Sequence, residues 1–200
     1  IGDDFHHNGA FMLMDAFGFY SGFGKPRPAP TMQGNPGFSD WKTPDNYAFY
    51  LQAGALRNFN EKYLKGGIPF WNDLMAHPDM DAWWQARNPR PHMKNIRPAV
   101  MTVGGLFDAE DCFGAWALYK AIENQNPQTT SNRIVMGPWS HGGWARGTGE
   151  RLGNVAFGQA TSTFYEKDIE LPFFEYHLKD IGRLALPEAY VFETGSNRWV

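Results

Sequence analysis

The chain has a single cysteine, Cys112, and little excess charge, with 18 Lys and Arg against 21 Asp and Glu in 200 residues. It also has no apolar run of membrane-spanning length. One thiol excludes an internal disulfide. A net charge of −3 offers no basic face to nucleic acid or to an anionic lipid surface, so neither partner is expected. No C-x-x-C pair and no helical H-x-x-x-H is present, and the adjacent His6 and His7 behind Asp3 and Asp4 are poorly spaced to converge on one ion. Neither a metal nor a cofactor is expected. The chain opens on Ile1 without a signal-peptide pattern, which predicts that the native amino terminus lies elsewhere and leaves a secreted or periplasmic location open.

What is abundant is apolar and aromatic. Hydrophobic residues make up 42% and aromatics 16% of the chain, enough for one core domain with an appendage. Ser21 to Asp45 is rich in Gly and Pro and reads as a long irregular excursion. Asn46 to Leu64 reads as a helix with Tyr47, Tyr50, Leu51, Ala55, Phe59 and Tyr63 near one face, stopped by Gly66-Gly67. A further helical region over Asn72 to Arg87 is interrupted at His77-Pro78, with Trp83 and Trp84 as packing anchors.

The informative stretch begins at Pro98-Ala99-Val100-Met101-Thr102-Val103, a short, β-branched, almost wholly apolar run of the kind buried on both faces of a parallel sheet. Cys112, Ala115, Trp116, Tyr119 and Ile122 then recur at helical spacing, and Asn124-Gln125-Asn126-Pro127 ends the pattern. Cys112 lies on that stripe, which predicts a packed thiol. Arg133-Ile134-Val135-Met136 supplies a second strand. Strand, helix, strand predicts a parallel crossover whose loops share one crevice at the carboxyl ends of the strands. Asp108 stands in the first of those loops and His141 in the second. An imidazole held by a carboxylate can take a proton from a hydroxyl nucleophile. Asp108 could equally cap the following helix, with Asp111 as its capping-box partner, and His141 could be structural; the pattern alone leaves both readings open. Residues 148–159 read as a glycine-bearing loop, 162–180 as a helix kinked at Pro172, and 189–200 as a strand and turn.

Three segments resemble a known family: Gly105-Leu106-Phe107-Asp108-Ala109-Glu110-Asp111, Met136-Gly137-Pro138-Trp139-Ser140-His141-Gly142-Gly143-Trp144 and Leu171-Pro172-Phe173-Phe174-Glu175-Tyr176-His177-Leu178-Lys179. They are similar to the second half of an α/β-hydrolase in the group of α-amino-acid ester hydrolases, cocaine-esterase-like enzymes, glutaryl acylases and X-Pro dipeptidyl peptidases. The resemblance implies an α/β fold comprising the last strands of a parallel sheet with crossover helices. It implies a helical cap over residues 1–95, the carboxyl half of the catalytic domain over 96–185, and the start of a jelly-roll β domain over 186–200. It makes Asp108 and His141 the acid and base of a serine triad that cleaves esters or amides through an acyl-enzyme. It places Asp79, Asp81 and Trp144 with the substrate, the two acids as candidate holders of an α-ammonium group.

No serine of the chain sits in a G-x-S-x-G elbow. The nucleophile and oxyanion-hole donors are therefore expected outside these residues, with the remaining polypeptide, or further copies in a homo-oligomer, as partners and a small ester, amide or short peptide as substrate. A non-catalytic binding or scaffold domain that keeps the hydrolase frame is the alternative.

Overall fold

The computed structural model describes residues 5–7, 9–25, 29–34 and 37–200. The chain forms two compact units, residues 1–88 and 89–200.

In the first unit a short antiparallel pair, β1 (His6–His7) and β2 (Ala10–Phe11), leads into helix α1 (Leu13–Tyr20). The described part of the Gly/Pro-rich excursion has no helix or strand. Helix α2 (Asn46–Ala53) begins where the Asp45 side chain accepts from the Tyr47 N–H at 2.9 Å, a carboxylate cap that satisfies a free donor of the first turn. The single helix expected over Asn46 to Leu64 is broken: Gly54 turns left-handed at φ 75°, and a π-helical turn, Phe59–Leu64, follows. That break moves the buried face. Phe49, Ala53 and Phe59 face the core, whereas Tyr47 and Leu51 are exposed. The stop expected at Gly66-Gly67 is there, with Gly66 at φ 72°. Helix α3 (Pro69–Ala76) starts on a proline, which needs no donor at that position, and α4 (Ala82–Gln85) follows the His77-Pro78 interruption. Phe17 is fully buried and meets Phe49, Phe59 and Trp71 at ring distances of 5.9, 5.0 and 5.7 Å. Each such ring contributes on the order of 2–3 kcal/mol of burial, which is how short, interrupted helices hold together.

In the second unit β3 (Val100–Gly105), helix α5 (Cys112–Gln125) and β4 (Asn132–Gly137) form the expected strand-helix-strand passage, and β3 and β4 pair in parallel. Next come a two-stranded hairpin, β5 (Arg151–Leu152) and β6 (Val155–Ala156), and helix α6 (Thr161–Phe164). A π-helical turn, Tyr165–Glu170, joins α6 to α7 (Leu171–Lys179). The hairpin escaped a periodicity reading because two-residue strands carry no period. The kink expected at Pro172 takes the form of that register change: Pro172 cannot donate back along the helix, and the widened turn lies directly before it. Strand β7 (Ala189–Glu193) adds to β4 in parallel, and β8 (Arg198–Trp199) closes the order β3-β4-β7-β8 antiparallel to β7.

Central β4 is almost wholly buried, with Ile134, Val135 and Met136 at 0, 2 and 0% exposure, as a strand covered on both faces should be. Strand β3, at the end of the sheet, is half-buried from Val100 to Val103 rather than buried on both faces. Cys112 is likewise half-buried rather than fully packed, standing in the first position of α5.

Candidate active site

The site is built from the ends of β3 and β4. The last pair in register is Gly105 with Gly137, and beyond it the two loops stay bonded: Leu106 N–H donates to Gly137 O at 2.9 Å and Phe107 N–H to Trp139 O at 3.0 Å. Small residues are required at this seam. A Cβ on Gly105 would lie 2.2 Å from Trp139 O, and one on Gly137 would lie 2.4 Å from the Trp139 ring. Trp139 is the peg. It is 3% exposed, its indole N–H donates to Thr161 Oγ1 at 3.0 Å, and Thr161 Oγ1 donates to Gly149 O at 2.7 Å. Ser162 Oγ donates to Gly143 O at 3.0 Å, so the start of α6 holds the histidine loop from behind.

On this frame Asp108 and His141 meet. The Asp108 carboxylate is buried, with its side chain 1% exposed. Its Oδ1 accepts from the backbone N–H groups of Glu110 at 2.9 Å and Asp111 at 3.2 Å, and its Oδ2 lies 3.1 Å from His141 Nδ1. A buried charge persists only when its oxygens are satisfied, and here three donors converge on it. Because the carboxylate can only accept, the ring nitrogen that faces it, Nδ1, is the donor of this contact. One oxygen of Asp108 thus closes the turn ahead of α5 and the other faces the imidazole. The N-cap position of α5 itself is Asp111, not Asp108.

Two further acids stand at the same ring. Asp111 Oδ2 and Glu110 Oε2 lie 3.4 and 3.7 Å from His141 Nδ1. Asp108, Asp111 and His141 also bring their donor atoms within 4.8 Å of one another, the spacing a metal ion would need among the described residues. The imidazole side chain is 52% exposed and lines a cleft of about 440 Å³ with Trp139, Ser140, Arg146, Glu150 and Arg151. The arginines and Glu110 were not marked by the sequence pattern, and Asp111 was marked only as a capping-box partner. Their one visible signal is position, directly behind Asp108 and a few residues beyond His141.

Trp144 does not line that cleft; its ring packs against Trp139 at 6.2 Å within the apolar cluster. Asp79 and Asp81 belong to the first unit. Asp81 caps α4: Oδ1 accepts from Trp83 N–H at 2.9 Å and Trp84 N–H at 3.3 Å, and Oδ2 pairs with His77 Nδ1 at 2.6 Å. The bond to His77 holds the Asp81 carboxyl below its ordinary value, with the backbone donors adding to it. His77 in turn stacks on Trp83 at 4.9 Å and 6° between planes, and the Arg87 guanidinium lies 3.5 Å from the Trp83 ring centre. Asp79 is exposed, and its side chain makes no hydrogen bond among the described residues. Asp3 and Asp4 lie outside the described residues, and the His6 ring stands 5.3 Å from Phe11.

The sequence profile of the X-Pro dipeptidyl-peptidase (S15 family) matches residues 2–143. No curated protein matches the chain. Among solved structures, an aminopeptidase from a marine-sediment Thaumarchaeota archaeon is 30% identical with a TM-score of 0.85. An α-amino acid ester hydrolase, solved with selenomethionine, is 30% identical with a TM-score of 0.86. Both cover 100% of this chain, and the chain spans 32% of each of theirs.

Proposed function

Since the chain belongs to the X-Pro dipeptidyl-peptidase (S15) family of hydrolases and has an α/β-hydrolase-type fold, we propose that it carries the acid and base of a serine hydrolase acting through an acyl-enzyme. The observation that carries the reading is the 3.1 Å contact between Asp108 Oδ2 and His141 Nδ1, made at the carboxyl ends of two adjacent parallel strands. With its Nδ1 proton held by Asp108, His141 accepts at Nε2 the proton of a serine hydroxyl supplied from outside these residues as that oxygen attacks the substrate carbonyl. The buried carboxylate offsets the imidazolium that forms. His141 then returns the proton to the departing alcohol or amine, and water repeats the cycle on the acyl-serine. Substrates on this reading are esters or amides of α-amino acids, or peptides with proline second from the amino end.

Of Asp79 and Asp81, Asp79 is the one with oxygens left for an α-ammonium group, because Asp81 is committed to its helix and to His77. Trp144 supports the histidine loop from within the apolar cluster.

Labelling the full-length protein with a fluorophosphonate tests the proposal. Stoichiometric, covalent modification of one serine is expected in the wild type and loss of it in His141→Ala; equal labelling of both would remove His141 from the mechanism.

A further inference from the structure

We infer that the cleft beside His141 is a leaving-group subsite for a carboxylate, held by Arg146 and Arg151. The inference rests on the hydrolase reading and deepens it. A leaving group receives its proton from the imidazole, so it departs from the space the imidazole lines, and His141 lines one cleft with both arginines. Arg146 is set close to the base by the chain itself. Gly142, the residue after His141, turns left-handed at φ 68°, and the Arg146 guanidinium lies over it: a Cβ on Gly142 would meet Arg146 Nη2 at 3.0 Å and Cζ at 3.3 Å. Arg151 comes to the cleft from β5 of the small hairpin.

Neither guanidinium forms an ion pair among the described residues, although Glu150 lines the same cleft and is exposed with them. Two planar, permanently charged forks without an ion-pair partner among the described residues match one carboxylate from outside. The acids Asp108, Glu110 and Asp111 gather on the Nδ1 side of the ring, where they would repel such a group. Charge is therefore divided about the imidazole, negative at the nitrogen that is held and positive along the cleft. The substrate class this selects is an α-amino acyl ester or peptide whose departing part bears a free carboxylate, such as a short peptide's carboxyl end.

The test compares two esters of one α-amino acid in the full-length protein, a 4-hydroxybenzoate ester and the isosteric, neutral 4-hydroxybenzamide ester. The wild type is expected to favour the carboxylate by about tenfold in kcat/KM, and the ratio is expected to fall to about one in the Arg146→Ala/Arg151→Ala double variant. A wild-type ratio at or below one overturns the inference whatever the variant does, and so does a ratio the double substitution leaves intact. Equal rates on the two esters with both still dependent on His141 would remove the arginine subsite and leave the hydrolase reading standing. Failure of either ester to be cleaved in a His141-dependent way would instead overturn that reading.

Discussion

The backbone of Gly105 presses against the carbonyl of Trp139 so closely that a side-chain carbon there would stand 2.2 Å from the oxygen. This contact sets the spacing of the two loops that deliver Asp108 and His141, and the Phe107 N–H bond to the same oxygen fixes it. Gly105→Ala must separate the loops, since the obstructing atom belongs to the backbone and cannot rotate away. A loss of about 1–3 kcal/mol in urea denaturation is expected, with a larger fractional loss of hydrolysis than the stability change explains. Unchanged activity would mean that the loop spacing does not govern the Asp108–His141 contact.

Asn132 anchors α5 to the start of β4. It is 3% exposed, and its Nδ2 donates to Glu123 Oε1 at 2.7 Å and Tyr119 O at 3.2 Å. Asn132→Ala removes both donated bonds, and with them the polar link between α5 and β4, from a buried position and is expected to cost about 1–3 kcal/mol by chemical denaturation. A change below about 0.5 kcal/mol would show that the helix is held by apolar packing alone.

The Asp81 carboxyl is held down by His77 and by the two helix N–H groups it caps. A depressed folded value means the contribution is present above the ordinary aspartate value of 3.8 and is lost as pH falls through the folded one. Carboxyl NMR titration should place Asp81 below 3.8 in the wild type and nearer to it in His77→Ala. No movement in the variant would assign the depression to the backbone donors instead.

Much of this was legible in the sequence. The two strands, the helix from Cys112 and the histidine loop stand where apolar runs, helical spacing and glycine placed them, with strand ends shifted by one or two residues. Asp108 and His141 could be paired in advance because parallel strands deliver their loops to one edge, a rule that needs no side-chain detail. What stayed hidden depends on contacts rather than period. The inward face of α2 changed because Gly54 breaks the helix, and Pro172 announced an irregularity in its helix but not that it would be a π-helical turn. Glu110, Asp111, Arg146 and Arg151 are ordinary loop charges until the loops fold back on His141.

Whether Asp108 holds His141 for proton transfer is decided by Asp108→Asn in the full-length protein. The amide keeps the size and one acceptor but can present a donor to Nδ1, which turns the imidazole to the wrong tautomer. With the fold retained by circular dichroism, kcat on an α-amino acid ester is expected to fall about 10⁴-fold. A fall of less than about tenfold would contradict the account and leave the 3.1 Å contact a structural one.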